Sequence, residues 1–192
     1  RWNGYSARIK SLVLASGITE IGDNAFSGCS GLTSVTLPDR LISIGAWAFS
    51  GCSGLTSVTF QDRLISIGDF AFFDCSSLTS VTLPDKLTHI GTWVFAGSGL
   101  TGITFPDGLI SIGDYAFCDC SGLTSFTLPD GLTSIGAWAF GGCSGLTSLT
   151  LPDSLTRIGK SAFAGCSSLT SLTYPVGLPR VGEQVFSGCT GL

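Results

Sequence analysis

The chain contains no methionine, one histidine and few charged residues, which make up only 11% of its 192 residues. The chain has nine lysines and arginines and thirteen acidic residues, so its formal net charge is −4. Nucleic acids and anionic membranes are bound through concentrated positive charge, and the composition therefore argues against both as partners. No apolar run approaches the roughly 18 residues of a membrane-spanning helix, so we expect no membrane insertion.

A unit of 23 residues is repeated along almost the whole chain. Its opening residues are Ile9, Leu32, Leu55, Leu78, Leu100, Leu123, Leu146, Leu169 and Leu192, and only the unit from Leu78 is one residue shorter. This length is too short for a propeller blade or a helix pair, which leaves one coil of a solenoid per unit. We expect residues 1–8, with Trp2 and Tyr5, to form a partial cap. Residues 9–192 are expected to form a solenoid of eight repeats, with a ninth truncated at residue 192.

Each unit is predicted to contain two short extended segments joined by turns. In the second copy, Val35 and Leu37 alternate with polar Ser34 and Thr36, which predicts a half-buried strand in a parallel sheet. Pro-Asp ends this strand, and the second segment ends at a glycine found in all eight copies. That glycine indicates either a positive φ or a close approach between coils. The Ala-Phe that follows is predicted to form a single 3₁₀ turn.

Catalysis has little support in the sequence. The single histidine, His89, stands at an outward place where other copies have serine or arginine. A nucleophile, histidine and carboxylate set would draw on the adjacent coils, and these offer Ser66 and Ser111 without an acid. We therefore predict that the protein is not an enzyme and has no catalytic residues, no metal site and no cofactor.

Seven of the eight cysteines share one place in the repeat: Cys29, Cys52, Cys75, Cys120, Cys143, Cys166 and Cys189. Stacked coils would hold both their Cα and Cβ atoms about 4.8 Å apart, beyond the usual Cβ separation of a disulfide, about 3.5 to 4.5 Å. We predict buried free thiols, since a zinc site would need paired cysteines that this spacing lacks. Cys118 lies outside the column, and we expect it to be exposed and reactive.

Two polar columns offer alternative functions. The proline-linked aspartates form one acidic column: Asp39, Asp62, Asp85, Asp107, Asp130 and Asp153, of which Asp62 alone follows another residue, Gln61. Such a column is typical of Asx turns rather than of calcium sites, which need about six to eight oxygen ligands. The outward serine and threonine of each strand form a nearly uncharged hydroxyl face, which strand propensity explains. This face faintly resembles ice-binding solenoids, and a water-ordering role is a minor alternative that curvature of the sheet would oppose.

The residue directly before the Ala-Phe place forms one column along the repeats. This column is aromatic in five consecutive central copies and polar at its ends. It reads Asn24, Trp47, Phe70, Trp93, Tyr115, Trp138, Ser161 and Gln184. If the column were buried, its unpaired polar members would each lose about 1 to 3 kcal/mol, so we expect it to be at least half exposed. The five aromatic residues, Trp47, Phe70, Trp93, Tyr115 and Trp138, are the predicted binding residues for a protein or sugar. The alternative is that the rings only stack on each other and shield the turn.

The full pattern, L-x-x-V-x-L-P-x-x-L-x-x-I-G-x-x-A-F-x-x-C-x, resembles the BspA-like branch of the leucine-rich repeats over residues 9–192. These are surface and secreted proteins of anaerobic bacteria and some protozoan parasites. The resemblance implies a right-handed leucine-rich-repeat solenoid, with a parallel β-sheet on one face and short extended and 3₁₀ segments on the other. It also implies a secreted or cell-surface location and adhesion to host proteins or other cells. No functional residue is transferred, because the family is defined by its scaffold.

The predicted function is a non-catalytic adhesion and protein-binding module that docks a protein or glycan at a cell surface. A preformed solenoid surface loses little entropy on docking. The alternative is a purely structural spacer array. Because the last coil is expected to be apolar and uncapped, end-to-end self-association through the C-terminal repeat is a further expectation.

Overall fold

The computed structural model describes residues 6–192, which wind into a solenoid of short parallel strands without any helix in this range. The strands are β1 Ser11–Val13, β2 Glu20–Ile21, β3 Ser34–Thr36, β4 Ser43–Ile44, β5 Ser57–Thr59, β6 Ser66–Ile67, β7 Ser80–Thr82, β8 His89–Ile90, β9 Gly102–Thr104, β10 Ser111–Ile112, β11 Ser134–Ile135, β12 Ser148–Thr150, β13 Arg157–Ile158, β14 Ser171–Thr173 and β15 Arg180–Val181. Ser11 pairs with Ser34, 23 residues later, so one repeat makes one coil. The predicted parallel-sheet solenoid is confirmed.

Two faces of the solenoid carry these strands. The three-residue strands form a sheet in the order β1-β3-β5-β7-β9 and a second one of β12 and β14. Strand pairing is interrupted between them, at the coil in which Phe126 takes the place of the aliphatic Val81 and Leu149. The two-residue strands form one sheet of β2-β4-β6 and another of β8-β10-β11-β13-β15.

The interior between these faces is filled by columns of equivalent side chains, one from each coil. The most regular is a phenylalanine ladder, in which neighbouring ring centroids lie 5.2–5.7 Å apart in nearly parallel planes. Its members are Phe26, Phe49, Phe72, Phe95, Phe117, Phe140, Phe163 and Phe186. The six central rings are fully buried, because each coil covers the apolar residues of the next.

The turn that carries Ala-Phe differs from the expected 3₁₀ segment. Successive backbone N–H groups alternate between two kinds of acceptor: one N–H bonds to a carbonyl within the turn, and the next bonds to a carbonyl of the following coil. No regular helical pattern develops. Ser50 donates to the Trp47 carbonyl at 3.2 Å, whereas Phe49 donates to the Ala71 carbonyl of the next coil at 2.8 Å. Bonding between coils therefore replaces the i to i+3 ladder that a 3₁₀ helix requires.

The invariant glycine serves the second of its two predicted roles. At Gly68, an added Cβ would lie 2.5 Å from the Ala46 nitrogen and 2.7 Å from the Gly45 carbonyl carbon in the preceding coil. Positive φ angles occur instead two residues later, in the aromatic column, and at the turn glycines such as Gly51, where φ is 68°. The glycine column lets neighbouring coils approach through their backbones.

The predicted N-terminal cap lies largely outside the described residues, since Trp2 and Tyr5 precede residue 6. Residues 6–8 form a turn, and the Ala7 carbonyl packs on Gly31, in the way that the Ser30 carbonyl packs on Gly54. At the other end, Val176, Val181 and Leu192 are exposed. No helix in residues 6–192 has the length and apolar character needed to cross a membrane.

Candidate functional site

The aromatic column adopts a backbone conformation that bulky residues rarely take. All eight of its residues have φ between 54° and 59°, including Trp47 at 59° and Trp138 at 54°. This left-handed region disfavours a Cβ by roughly 1 to 2 kcal/mol, and asparagine tolerates it better than other residues. Asn24 holds the place in the first coil. That asparagine is the one signal in the sequence for this conformation, which was not predicted.

The five aromatic residues form one continuous stack along the solenoid, which we call the aromatic stripe: Trp47, Phe70, Trp93, Tyr115 and Trp138. Successive ring centroids lie 4.0, 5.9, 4.3 and 6.4 Å apart, and neighbouring planes differ by 7° or less. The rings therefore cover each other's faces. Ring edges, rather than ring faces, are presented to solvent.

The stripe is less exposed than predicted. Trp47 and Trp138 at its two ends are 37% and 36% exposed, and the three rings between them are half-buried. Among the polar end members, Asn24 and Gln184 are exposed, but Ser161 is buried at 1% exposure. Stacking accounts for the difference, because each ring shields the faces of its neighbours.

Backbone hydrogen bonds between coils hold the stripe rigidly. Trp47 donates to the Asp69 carbonyl at 2.9 Å, and Gly51 donates to the Phe73 carbonyl at 2.8 Å. The Phe73 ring also packs edge-on against Trp47, Phe70 and Trp93, with centroids 5.7–6.2 Å away. Phe73 therefore belongs to the site, although it was not among the predicted binding residues.

Five exposed aspartates border the stripe and were not predicted as part of it: Asp23, Asp69, Asp74, Asp114 and Asp119. The Asp23 Oδ1 accepts the Ala46 N–H at 2.7 Å, beside Trp47. The Asp69 Oδ1 accepts the Thr92 N–H at 2.7 Å, and the Asp114 Oδ1 accepts the Ala137 N–H at 2.7 Å. On the other side of the turn, the Asp119 carboxylate packs against Gly142 in the following coil. Asp74 holds the equivalent place beside Gly97. Asp74 and Asp119 have φ of 56° and 59° at a place where other coils have glycine.

The cysteine column is confirmed as a row of buried free thiols. Each thiol from Cys52 onwards donates to a phenylalanine carbonyl in the preceding coil, as Cys52 does to Phe26 at 3.3 Å and Cys143 to Phe117 at 3.3 Å. In the short repeat, Ser98 takes this place, and its Oγ lies 3.2 Å from Cys120 Sγ. Burial raises the pKa of Cys52 and Cys166 to about 12 and that of Cys120 to about 11.

The prediction that Cys118 is exposed and reactive is wrong. Its side chain is only 7% exposed, and Sγ donates to Asp119 Oδ2 at 3.5 Å. Burial and then the nearby Asp119 charge raise the pKa of Cys118 to about 12, so little thiolate forms at neutral pH. Its place in the turn is held elsewhere by residues as different as Phe73 and Gly141, which wrongly indicated an exposed position.

The raised thiol pKa values predict that stability falls in alkaline solution. Above the ordinary thiol pKa of 9.0, the unfolded chain loses protons that the folded chain keeps up to pKa values of about 11 to 12. The unfolded state then binds fewer protons, so the free energy of unfolding decreases as pH rises from 9. We expect the denaturant midpoint, followed by circular dichroism, to fall between pH 8 and pH 11.

The informative comparison is with Cys118→Ala, since alanine occupies this place at Ala96 and Ala164. The variant should show a shallower fall, because one desolvated thiol no longer contributes. Identical pH profiles for the two proteins would refute the proposed contribution of Cys118.

The remaining predicted surface residues are placed as expected. His89 is exposed, with Nδ1 2.8 Å from the Thr88 Oγ1, and pairs with Ser111 in the neighbouring strand. The proline-linked aspartates are also exposed. Within residues 6–192, no group of three or more histidine, cysteine or acidic side chains is arranged to hold a metal ion.

The structure brings the hydroxyl face and the proline-linked aspartates together, although the sequence suggested two separate columns. A shallow groove of about 290 Å³ runs beside Thr59 and Asp62, and another of about 440 Å³ runs beside Thr127 and Asp130. The three-residue spacing of threonine and aspartate across the turn after the strand was the signal for this juxtaposition.

The geometry defines a leucine-rich-repeat solenoid with one coil per 23 residues. The sequence profile described as "BspA type Leucine rich repeat region (6 copies)" matches residues 4–123 and 94–192. The chain belongs to this family. No curated protein sequence matches it.

Solved structures of bacterial leucine-rich repeat proteins are similar to the chain. A Bacteroides ovatus protein is 32% identical, with a TM-score of 0.80 over 96% of this chain and 54% of that one. A Treponema protein, the T. pallidum leucine-rich repeat protein, is 32% identical, with a TM-score of 0.67 over 96% and 78%. A leucine-rich cell surface protein of Faecalibacterium prausnitzii is 26% identical, with a TM-score of 0.63 over 95% and 58%. The chain thus spans little more than half of two of these proteins.

Proposed function

We propose that the chain is a non-catalytic protein-binding module of a secreted or cell-surface protein, and that it docks its partner through the aromatic stripe. The observation that carries the proposal is the left-handed backbone of five bulky aromatic residues. Strain of about 1 to 2 kcal/mol per residue opposes the gain from ring stacking, which adds about 0.5 to 1.5 kcal/mol per pair beyond the burial of ring area. Stacking alone therefore does not explain bulky residues at this strained place, and strained residues cluster at functional sites.

The geometry of the rings favours a protein over a glycan. Sugars stack their C–H groups on aromatic faces, and here those faces are covered by neighbouring rings. A row of ring edges, backed by hydrogen-bonded turns, offers a rigid apolar surface to a folded or extended polypeptide. Location at the cell surface is supported by the family and by the Faecalibacterium cell surface protein.

The test replaces Trp47, Trp93 and Trp138 with asparagine, the residue that occupies the same left-handed place at Asn24. Asparagine relieves strain but removes stacking and ring burial, so we expect the variant to stay folded with a moderately lower melting temperature. Labelled wild-type protein should bind epithelial cells or bacterial cells saturably. The triple variant should bind about tenfold more weakly or worse, as for the loss of central aromatic anchors.

A matched control removes another row of exposed apolar side chains. Ile42, Ile65 and Ile110 are 40%, 52% and 43% exposed on the second face, and other coils have threonine at this place. Their replacement by threonine should leave binding unchanged. Equal binding by the wild type and the tryptophan variant would contradict the proposal, as would a wild-type protein that binds neither kind of cell.

The second candidate is a structural spacer, which is favoured by the low exposure and mutual stacking of the rings. In that case the repeats separate other domains and make no contact with a partner. A parent protein that lacks residues 9–192 would then bind its partner as well as the intact protein does.

A further inference from the structure

The charge along the aromatic stripe is of one sign. In the five turns that carry the stripe, residues 46–51, 69–74, 92–97, 114–119 and 137–142, there are four aspartates and no lysine or arginine. More widely, residues 87–156 contain five aspartates, one histidine and no lysine or arginine. The one ion pair found in residues 6–192 joins Lys160 and Glu183, beyond the stripe. The carboxylates beside the rings are therefore not neutralised by salt bridges within the described part of the chain.

These carboxylates are arranged around two of the tryptophans. Asp114 reaches the backbone of Ala137 on one side of Trp138, and Asp119 packs against Gly142 on the other. The Trp138 ring itself lies over Gly141. Asp114 and Asp119 both belong to the coil before Trp138, and they contact residues on either side of it in the chain, Ala137 and Gly142. Trp138 therefore lies between the two carboxylates.

The same arrangement recurs two coils earlier. Asp69 accepts the Thr92 N–H at 2.7 Å, and Asp74 lies near Gly97, so this pair stands on either side of Trp93. Adjacent coils are about 4.8 Å apart, which places the two carboxylate pairs about 9.6 Å apart along the solenoid. Trp47 has an aspartate on one side only: Asp23 accepts the Ala46 N–H at 2.7 Å, but Gly28 stands where the second aspartate would be.

The geometry points to a partner segment that is extended and basic, with lysine or arginine at every third residue, lying along the aromatic stripe. This inference rests on the proposed binding function and specifies its partner. A polyproline II segment rises about 3.1 Å per residue with three residues per turn, so every third side chain faces the same way about 9.3 Å apart. This spacing of side chains matches the separation of about 9.6 Å between the two carboxylate pairs.

The rings and the carboxylates are expected to contact different parts of the basic side chains. Ring edges carry partial positive charge, so they pack against the aliphatic stems of lysine and arginine rather than against the cationic heads. The carboxylates on either side of Trp93 and Trp138 hold the heads. Glycine at the Asp74 place and alanine at the Asp69 place occur in other coils, so the chain can fold without these charges.

The experiment uses fluorescein-labelled peptides and fluorescence anisotropy at low salt. The first peptide is Arg-Pro-Pro-Arg-Pro-Pro-Arg, and the second has the same composition with its three arginines adjacent. We expect the spaced peptide to bind about fivefold more tightly than the clustered one, and a Glu-Pro-Pro-Glu-Pro-Pro-Glu peptide not to bind. Binding should weaken as salt rises.

Two variants with equal changes of charge locate the binding surface. The first replaces Asp69 and Asp114 with alanine and Asp74 and Asp119 with glycine, and should bind the spaced peptide about 25-fold more weakly, for the loss of two carboxylate pairs. The second replaces Asp62, Asp85, Asp107 and Asp130 with asparagine, and should bind as the wild type does. Circular dichroism should show that both variants are folded.

Equal binding of the spaced and clustered peptides, or equal weakening by both variants, would overturn the inference in favour of general charge attraction. Absence of peptide binding by the wild type would overturn it as well. The binding function itself would survive these results if the tryptophan variant still lost cell binding. If that variant binds cells normally, the binding function fails, whatever the peptides do.

Discussion

Replacement of Phe117 by alanine is expected to lower the free energy of unfolding by about 3 to 5 kcal/mol. The ring is fully buried, stacks between Phe95 and Phe140 at 5.5 and 5.2 Å, and meets Phe105 edge-on at 5.7 Å. Its loss opens a cavity in the middle of the ladder, and the coils on both sides cannot close it, because their backbones are hydrogen-bonded to each other. The denaturant midpoint, followed by circular dichroism, measures the effect.

The control for this prediction is Phe73→Ala. Phe73 is half-buried, and alanine already occupies its place at Ala96 and Ala164. A clearly smaller loss is expected, since solvent can fill the vacated space and only edge-on ring contacts are removed. Comparable losses at the two positions would mean that the phenylalanine ladder is not the main source of core stability.

A methyl group added at Gly159 is expected to lower the free energy of unfolding by about 1 to 3 kcal/mol. A Cβ there would approach the backbone of Gly136 and Ala137 in the preceding coil to well within contact distance. Those atoms belong to hydrogen-bonded backbone and cannot move aside, so Gly159→Ala should force two coils apart. The shift in the denaturant midpoint is again the measurement.

Gly22→Ala is the matched variant, because Gly22 has the same place in the first coil. No atom lies within 4 Å of the position that its added methyl group would take, and its φ is not positive, so alanine is expected to be neutral or slightly stabilising. If both substitutions have the same effect, the glycine column does not act through contact between coils.

Several features could be read from the repeat alone. The 23-residue repeat places equivalent residues of successive coils on top of each other. The parallel strands, the inward phenylalanine column and the unpaired cysteines follow from this stacking. The burial of Cys118 could not be read in this way, because its column contains both Phe73 and Gly141. Nor could the flanking of Trp138 by Asp114 and Asp119, which depends on side chains that reach from one coil to the next.

Periodicity in the amino-acid sequence is sufficient to establish that the chain is a stack of equivalent coils and which residues line its interior. The reason is that a column that is apolar in nearly every coil must be buried, whereas a mixed column, such as that of Ile42 and Thr88, need not be. The direction of the backbone at Trp47, the burial of Cys118 and the carboxylates beside the rings became visible only in three dimensions. These depend on hydrogen bonds between turns of adjacent coils, such as that from Trp47 to Asp69, which no spacing within one repeat specifies.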